Sequence, residues 1–304
     1  MKLQQLKYIC EVARSGLNVS AAAEALHAAQ PGVSSQIKIL EDELQVQIFE
    51  RSGKRLVGVT EPGKAILQMA DRILKEADNI RKVCEDYSNH SKGSLTVATT
   101  HTQARYALPE VVKKFRARYP NVILHITQGS PTQIAEMVVS GDADIAIATE
   151  GIHLFEDLAM LPCYEWNRCI VAPPDHPVLK VSPMTLEAIA QYPLITYDFA
   201  FAGRSKINQA FEKQGLKPNI VLTAIDSDII KTYVELGLGI GLLAAMAFDP
   251  QRDVNLRKVD VAHLFEPSTT RIGIRRGSYL RGYMYSFIEL FAPHLTRQAI
   301  IEAL

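Results

Sequence analysis

The sequence predicts a mixed α/β fold in three successive parts: a small helical part, one long helix, and a larger part that folds as two lobes. Three observations support this prediction. Amphipathic helical patterns fill the first 44 residues, heptad spacing runs through residues 60–87, and strand-like segments alternate with helical ones from residue 93 onward. At 304 residues, with 47% hydrophobic and 22% charged residues, the chain can build several separate cores.

The first part contains a pair of short helices joined by a sharp corner. Apolar side chains at helical spacing predict a first helix over residues 3–14, and an Ala-rich helix is expected over residues 20–27. Pro31 suits the first turn of a further helix that continues to Leu44. Only a tight turn fits between the last two helices, which is typical of a helix-turn-helix; two helices of an ordinary bundle are the alternative interpretation.

The outer face of the helix that begins at Pro31 carries short hydroxyl and amide side chains, which can hydrogen-bond base edges and phosphate oxygens. Residues 47–60 then predict two short strands joined at Ser52–Gly53, a wing whose basic tip can reach phosphates. These features together predict a DNA-binding surface. Its candidate residues are Gln30, Pro31, Ser34, Ser35, Gln36 and Lys38 on the helix and Arg51, Lys54 and Arg55 on the wing.

Residues 60–87 predict one long helix, for which Thr60 supplies an N-cap and Pro62 a first-turn residue. At 1.5 Å per residue it would extend for roughly 40 Å, longer than a small domain needs. We therefore expect a helix–helix seam that forms a homodimer and presents two helix-turn-helix units to two half-sites of DNA. A helix lying on its own core is the alternative. The heptad residues are Ile66, Ile73, Ile80 and Tyr87, interleaved with Ala70, Ala77 and Cys84.

A polar hinge at residues 90–93 precedes two α/β units. The first has strands at SLTVAT, VILHIT and ADIAIAT, and the second has strands at CIVAPP, PLITYD, NIVLTAI and IGLLAA. The segment TTRIGIRR is expected to return to the first unit as one more strand. Two such units form two lobes, and ligands of parallel sheets bind at the carboxyl ends of the strands, here in the cleft between the lobes. The predicted domains are 1–59, 60–92 and 93–304, with lobe I at about 93–162 plus 269–304 and lobe II at about 163–268.

Polar side chains follow several of these strands at the points where helices begin. Hydroxyls and backbone N–H groups at a helix start can hold an anion without a formal positive charge, and an arginine can clamp a carboxylate. Ordinary helix caps, a surface ion pair and core packing of the tryptophan are the alternatives. The candidate effector-binding residues are Thr100, Thr102, Gln103, Ser130, Thr149, Trp166 and Arg204. His101 is expected to be a bystander at the rim of the cleft.

Several classes of function are disfavoured by the composition. The formal net charge is zero, which argues against a general DNA coat. We expect neither export nor membrane insertion, and hence a cytosolic protein, because no leader pattern and no long apolar run is present. No zinc spacing, Walker loop, dinucleotide fingerprint or nucleophile with its base can be assembled, so no metal, cofactor or enzymatic activity is expected.

The four cysteines, Cys10, Cys84, Cys163 and Cys169, are expected to stay reduced and to serve mainly as small apolar residues. An alternative is a redox-sensing pair, in which Cys163 and Cys169 approach each other across a strand.

The run QPGVSSQIKILEDELQVQIFERS, residues 30–52, resembles the LysR-type transcriptional regulators. Further stretches resemble the CysB branch of that family, the regulators of sulfur assimilation: TTHTQARYALP, QGSPTQIA, ADIAIATE, LPCYEWNR and IKTYVELGLGIG. The resemblance covers essentially the whole chain.

This resemblance implies a winged helix-turn-helix, a linker helix and a two-lobed effector domain akin to periplasmic binding proteins, assembled as a homotetramer, a dimer of dimers. Members of the branch activate genes of sulfate uptake and cysteine synthesis when they bind an acetylserine, and sulfate or thiosulfate opposes activation. Their anion site maps onto Thr100, Thr102, Gln103 and Thr149, with Trp166 close by. Ala202 stands where the family has a hydroxyl, and one lost hydrogen bond weakens anion binding by about 0.5–1.5 kcal/mol.

The sequence therefore predicts a regulator of sulfur-assimilation genes that binds promoter DNA and a small anionic effector, with RNA polymerase as a further partner. A related regulator of sulfonate or sulfate-ester use, responding to adenylylated sulfate, is the main alternative. A solute-binding transport protein would explain the two lobes but has no use for the first 90 residues. An enzyme acting on sulfate or acylserine lacks an identifiable nucleophile, base or metal.

Overall fold

The structure is a computed structural model that describes residues 1–53, 55–88, 92–149, 155–198 and 204–304. It divides the chain into two compact units, Met1–Ser88 and Asn89–Leu304. Residues 90 and 91 of the predicted hinge at residues 90–93 lie outside the described residues.

The first unit is a winged helix-turn-helix followed by a long helix, as predicted. α2 begins earlier than expected because the Asn18 side chain accepts hydrogen bonds from the N–H groups of Ser20 and Ala21, both at 3.1 Å. It ends at Ala25, before His27 turns into the left-handed region with φ of 49°. The elements are α1 (Leu3–Arg14), α2 (Val19–Ala25), α3 (Gln30–Leu44), β1 (Phe49–Ser52), β2 (Arg55–Val59) and α4 (Glu61–Ser88).

One apolar core holds this unit together. It is formed by buried side chains of all three short helices and of the segment before the wing, among them Ile9, Val33, Ile37 and Phe49. Thr60 caps α4 as predicted, because its hydroxyl oxygen accepts the Gly63 N–H at 2.9 Å. A side chain at Gly63 would collide with the backbone carbonyl of Ile48, so glycine is needed where the wing meets α4.

α4 buries apolar side chains near its beginning and exposes others along its length. Ile66, Leu67, Ala70 and Leu74 pack against the core of the first unit. Apolar side chains elsewhere on the helix are solvent-exposed: Met69 by 54%, Ile73 by 40%, Ile80 by 65% and Tyr87 by 79%. Packing on its own core therefore accounts for only part of the apolar surface of this helix.

Lobe I of the second unit contains a five-stranded sheet in the order β4-β3-β5-β12-β6. β3, β4 and β5 are parallel, as predicted, and β12 runs antiparallel between β5 and β6. The prediction that the TTRIGIRR segment returns to this lobe is confirmed. The elements are β3 (Gly93–Thr99), α5 (Leu108–Arg118), β4 (Val122–Gln128), α6 (Pro131–Ser140), β5 (Ile145–Ala148), β6 (Leu158–Trp166), β12 (Ser268–Arg275), α10 (Gly282–Phe291) and α11 (Arg297–Ala303).

Lobe II contains a second five-stranded sheet in the order β11-β7-β10-β8-β9. β8, β9 and β10 are parallel, whereas β7 pairs antiparallel with both β10 and β11. The elements are β7 (Arg168–Ala172), α7 (Leu186–Ala190), β8 (Leu194–Tyr197), α8 (Arg204–Lys213), β9 (Ile220–Ala224), α9 (Ser227–Glu235), β10 (Ile240–Ala244) and β11 (Arg257–Asp260).

The chain passes from one sheet to the other at Asn167, between β6 and β7. The lobe boundary predicted after residue 162 therefore falls inside β6, and Cys163 belongs to lobe I. Cys169 lies in β7 of the other sheet, so the idea that Cys163 and Cys169 meet across a strand is wrong. Both are buried free thiols.

No helix in the described ranges is both long enough and apolar enough to cross a membrane. Within the same ranges, no group of three histidine, cysteine or acidic side chains is arranged to hold a metal ion.

Candidate functional sites

The first candidate site is the outer face of α3. Val33, Ile37 and Leu40 point into the core, which leaves the predicted polar face in solvent. The Gln30 amide donates to the Ser34 hydroxyl at 3.1 Å, so these two side chains lie together at the N-terminal end of the helix. Exposed or half-exposed positions make up the remainder of this face: Pro31, Ser35, Gln36 and Lys38.

The wing is an antiparallel pair of β1 and β2, and both Arg51 and Arg55 are exposed on it. Lys54 lies outside the described residues. Arg51 is not a free phosphate ligand, however, because its guanidinium donates to the Glu41 carboxylate at 2.8 Å. Sequence reasoning treated it as a free cation because the partner lies ten residues away on α3.

Glu41 fixes the wing to α3. Its side chain is buried, and one carboxylate oxygen accepts the backbone N–H groups of Ile48 at 2.9 Å and Phe49 at 3.2 Å. The other oxygen pairs with Arg51. Glu41 directly follows Leu40 of the apolar stripe of α3. A carboxylate buried at such a position needs hydrogen-bond or ion-pair partners, and this was the sequence signal for its role.

The second candidate site is a cleft between the two lobes. About 330 Å³ of space free of protein atoms, which includes open solvent, lies within it. Five of the predicted residues line it, and Tyr197 and Ile225 of lobe II were missed. The lining residues are Thr100, Thr102, Gln103, Thr149, Trp166, Tyr197 and Ile225.

Sheet topology explains why the lobe I residues meet. β3 and β5 are neighbouring parallel strands, so the residues that follow them, Thr100 and Thr149, lie at the same edge of the sheet. After β3 the chain enters a helical segment whose first part, Gln103–Ala107, is a π-helical turn that continues into α5. The first N–H groups of such a segment have no acceptor within the helix.

Two side chains hold the Gln103 amide in a fixed orientation. Its nitrogen donates to the Thr270 hydroxyl at 3.1 Å, and its oxygen accepts a short hydrogen bond from the Tyr164 hydroxyl. Burial raises the pKa of Tyr164 to about 12, so this donor keeps its proton at neutral pH. Because the amide oxygen is occupied by Tyr164, the second N–H of Gln103 is presented as a donor.

Trp166 of lobe I and Tyr197 of lobe II each form part of the cleft wall. The Trp166 indole N–H donates to the Thr149 hydroxyl at 3.3 Å, at the end of β6 where the chain leaves lobe I. The Tyr197 hydroxyl shares a hydrogen bond with Ser227 at 2.7 Å and accepts the Ala244 N–H at 3.1 Å. Burial raises the pKa of Tyr197, so its hydroxyl stays neutral.

None of the seven described lining residues carries a charge. The cleft instead offers hydroxyls, an amide N–H and the start of a helix. Such a set of neutral donors suits an oxyanion held by hydrogen bonds, with the helix dipole adding favourable potential.

Two further predicted effector residues, Ser130 and Arg204, have structural partners of their own. Ser130 caps α6, accepting the Gln133 N–H at 3.4 Å, while the Gln133 side chain bonds back to the Ser130 N–H at 2.9 Å. Arg204 is buried in lobe II, where its guanidinium donates to Asn208 at 2.8 Å and to the Tyr197 carbonyl at 3.0 Å. Neither is among the described lining residues, and Ala202 lies outside the described residues.

Residues 3–64 match the bacterial regulatory helix-turn-helix proteins of the lysR family, and residues 88–296 match the LysR substrate binding domain. The chain belongs to the LysR family. This LysR-family protein is thus a DNA-binding transcriptional regulator with an effector-binding domain, and not an enzyme. The expectation drawn from residues 30–52 is confirmed.

Named relatives of this LysR-family regulator match along nearly its whole length. The transcriptional regulator SsuR of Burkholderia cenocepacia is 53% identical over 300 residues, covering 99% of this chain and 97% of that protein. CysB of the same organism is also 53% identical, covering 100% and 97%. The cofactor-binding domain of the Cbl regulator superposes with a TM-score of 0.68 at 47% identity, covering 70% of this chain and 93% of that structure.

Proposed function

We propose that this regulator controls genes of sulfur assimilation and cysteine synthesis in response to a small oxyanion bound between its lobes. The effectors we assign are an acetylserine as inducer and sulfate or thiosulfate as antagonist. The observation that carries the proposal is a cleft whose described lining residues are uncharged, in which Thr100, Gln103 and Thr149 supply neutral donors at the carboxyl edge of a parallel sheet. Full-length relatives named CysB, which fall in the branch that regulates sulfur assimilation, support the same assignment.

Calorimetric titration of the full chain with sulfate, thiosulfate, N-acetylserine and O-acetylserine tests the effector. Thr100→Ala removes a hydroxyl from a buried position in the cleft, so sulfate affinity should fall by about tenfold or more, as for a hydrogen bond to a charged group. Thr232→Ala, an exposed threonine on α9, is the matched control and should leave affinity unchanged. Equal sulfate affinity in both variants would remove Thr100 from the anion site.

A second function has a specific observation in its favour. SsuR and CysB from one organism are equally similar to this chain, and Ala202 lacks the hydroxyl that the CysB branch places there. A regulator of sulfonate or sulfate-ester use would bind adenylylated sulfate more tightly than any acetylserine. Adding adenosine 5′-phosphosulfate to the titration separates the two functions.

We assign promoter recognition to the outer face of α3, with Gln30 and Ser34 at its leading end and the wing on phosphates. Gln30→Ala should weaken binding to the promoter by about 1–3 kcal/mol while leaving binding to random DNA nearly unchanged. Gln47→Ala, an exposed glutamine beyond α3, is the control. Equal promoter affinity in the two variants would remove this face from the major groove.

The exposed apolar side chains of α4, Met69, Ile73, Ile80 and Tyr87, support a homodimer formed through this helix. We extend this to a dimer of dimers that contacts RNA polymerase at the promoter and acts in the cytoplasm, where its DNA lies. Sedimentation of the full chain, alone and with promoter DNA, tests the assembly.

A further inference from the structure

The helical segment that follows β3 contacts both lobes. Thr102 and Gln103 face the cleft, whereas Arg105 and Tyr106 contact α9 of lobe II. Effector contacts and lobe contacts are therefore carried by the same π-helical turn and the residues just before it. A shift of this turn would move both sets of contacts together.

Tyr106 is the central contact between the lobes in this region. Its side chain leaves lobe I and packs against a buried apolar cluster of lobe II that includes Ile230, Val234 and Ala247. Its hydroxyl donates to the Asp228 carboxylate at 2.6 Å and accepts from the Lys231 ammonium at 3.0 Å. The ammonium also lies 5.3 Å from the ring centroid.

The charges around Tyr106 are balanced only when the two lobes are together. The Lys231 ammonium is held on lobe II by the Asp253 carboxylate at 2.9 Å and by Asp228 at 3.2 Å. From lobe I, the Arg105 guanidinium lies 3.3 Å from Asp228 and the His101 ring 3.9 Å from it. Separating the lobes would take the Arg105 guanidinium, the His101 ring and the Tyr106 hydroxyl away from Asp228.

The same contacts set the protonation states of Tyr106 and Asp228. Burial raises the pKa of Tyr106 to about 12. Burial opposes ionisation of Asp228, but hydrogen bonds from Tyr106 and Lys231 outweigh it and lower the pKa of this carboxyl. The contact is therefore a neutral phenol donating to an ionised carboxylate at physiological pH, which is a strong type of hydrogen bond.

We propose that Tyr106, Asp228 and Lys231 form an interlobe latch that holds the two walls of the cleft together and so sets effector affinity. The latch acts on the site of the proposed function and rests on it. A ligand that touches Thr100 on one lobe and Tyr197 on the other binds only the arrangement in which both walls are present. Its apparent affinity therefore falls with the population of that arrangement.

Tyr106→Phe tests the latch because it keeps the packed ring and removes the hydroxyl. Tyr233→Phe makes the same change on the outer face of α9, where the side chain is 37% exposed, and serves as the control. Two readouts are taken on the full chain: titration with sulfate and N-acetylserine, and the emission of Trp166, the only tryptophan, which lies in the cleft wall.

The latch predicts that Tyr106→Phe weakens both ligands by about three- to tenfold and shifts ligand-free Trp166 emission to the red, as solvent enters the cleft. Asp228→Asn should change both readouts in the same direction, and Tyr233→Phe should change neither. Unchanged affinity and emission in Tyr106→Phe would overturn the latch.

The emission of Trp166 tests the latch even if the proposed effectors do not bind. If the wild-type chain binds none of the four ligands titrated for the proposed function, the proposed effector fails, yet the emission comparison still decides the latch. A red shift in Tyr106→Phe and Asp228→Asn alone would then support it, and identical spectra in all four proteins would overturn it.

Discussion

Replacing Glu41 with alanine should detach the wing from α3 and destabilise the N-terminal unit. The Glu41 side chain is 2% exposed and makes three hydrogen bonds, two from backbone N–H groups and one from Arg51. Alanine would leave the N–H groups of Ile48 and Phe49 buried without their acceptor and Arg51 without its counter-ion. All three effects lower the free energy of unfolding.

The size of this loss in the free energy of unfolding follows from how deeply each partner of Glu41 is buried. Each buried backbone N–H that loses its acceptor costs about 1–3 kcal/mol, so the N–H groups of Ile48 and Phe49 account for most of the loss. The Arg51 side chain is 36% exposed, so solvent screens its share. We therefore expect Glu41→Ala to lower the free energy of unfolding by about 3 kcal/mol and Arg51→Ala by about 1 kcal/mol.

Scanning calorimetry of the full chain measures this loss. The transition of the N-terminal unit is identified by its rise in Tm when promoter DNA is present. Asp42→Ala, at the neighbouring exposed position on α3, is the control and should change stability by less than about 0.5 kcal/mol. If Glu41→Ala and Asp42→Ala melt alike, the reasoning that Glu41 anchors the wing is refuted.

Three further predictions concern thiols, alkaline pH and assembly. Cys84 is exposed on α4, whereas burial raises the pKa of Cys163 to about 12, so at pH 8 a thiol reagent should label Cys84 first in the Ile80→Lys variant, whose α4 seam is disrupted, and a further Cys84→Ser change should remove the fast phase. Burial also raises the pKa of Tyr164 to about 12. As the pH rises, Cys163 and Tyr164 therefore lose their protons at a higher pH in the folded chain than in the unfolded chain. The free energy of unfolding, measured by denaturation, should therefore be highest below about pH 9 and fall by on the order of 1–2 kcal/mol per group as the pH rises toward 11. A constant free energy of unfolding over this pH range would contradict those shifts. Ile80→Lys should reduce the assembly seen by sedimentation, while Ile301→Lys, exposed on α11, should not; equal assembly in both would remove the α4 seam.

The site was predictable where it depends on local sequence. A polar side chain that follows a parallel strand, or that begins the helix after it, must lie near the carboxyl edge of the sheet, and this rule predicted Thr100, Gln103 and Thr149. Ser130 satisfied the same local rule, but it serves as the cap of α6. The rule identifies a helix start and does not reveal whether that start faces the cleft.

Contacts across long stretches of chain were not predictable. Nothing in the sequence near Tyr106 shows that its hydroxyl donates to the Asp228 carboxylate, 122 residues away on the other lobe. Such pairs depend on how two lobes dock, and docking is a property of the whole fold.

The sequence by itself determined the helix-turn-helix, the wing, the long helix, the alternation of strands and helices, and the residues at the strand ends. These features follow from side-chain periodicity, helix caps and turn residues, which act over a few positions. Only the tertiary structure decided that Glu41 anchors the wing, that Tyr197 and Ile225 complete the cleft, and that Tyr106 joins the lobes. Those roles arise when side chains that are distant in the sequence are buried together. A buried polar group needs a hydrogen-bond partner, and that partner is often far away in the sequence.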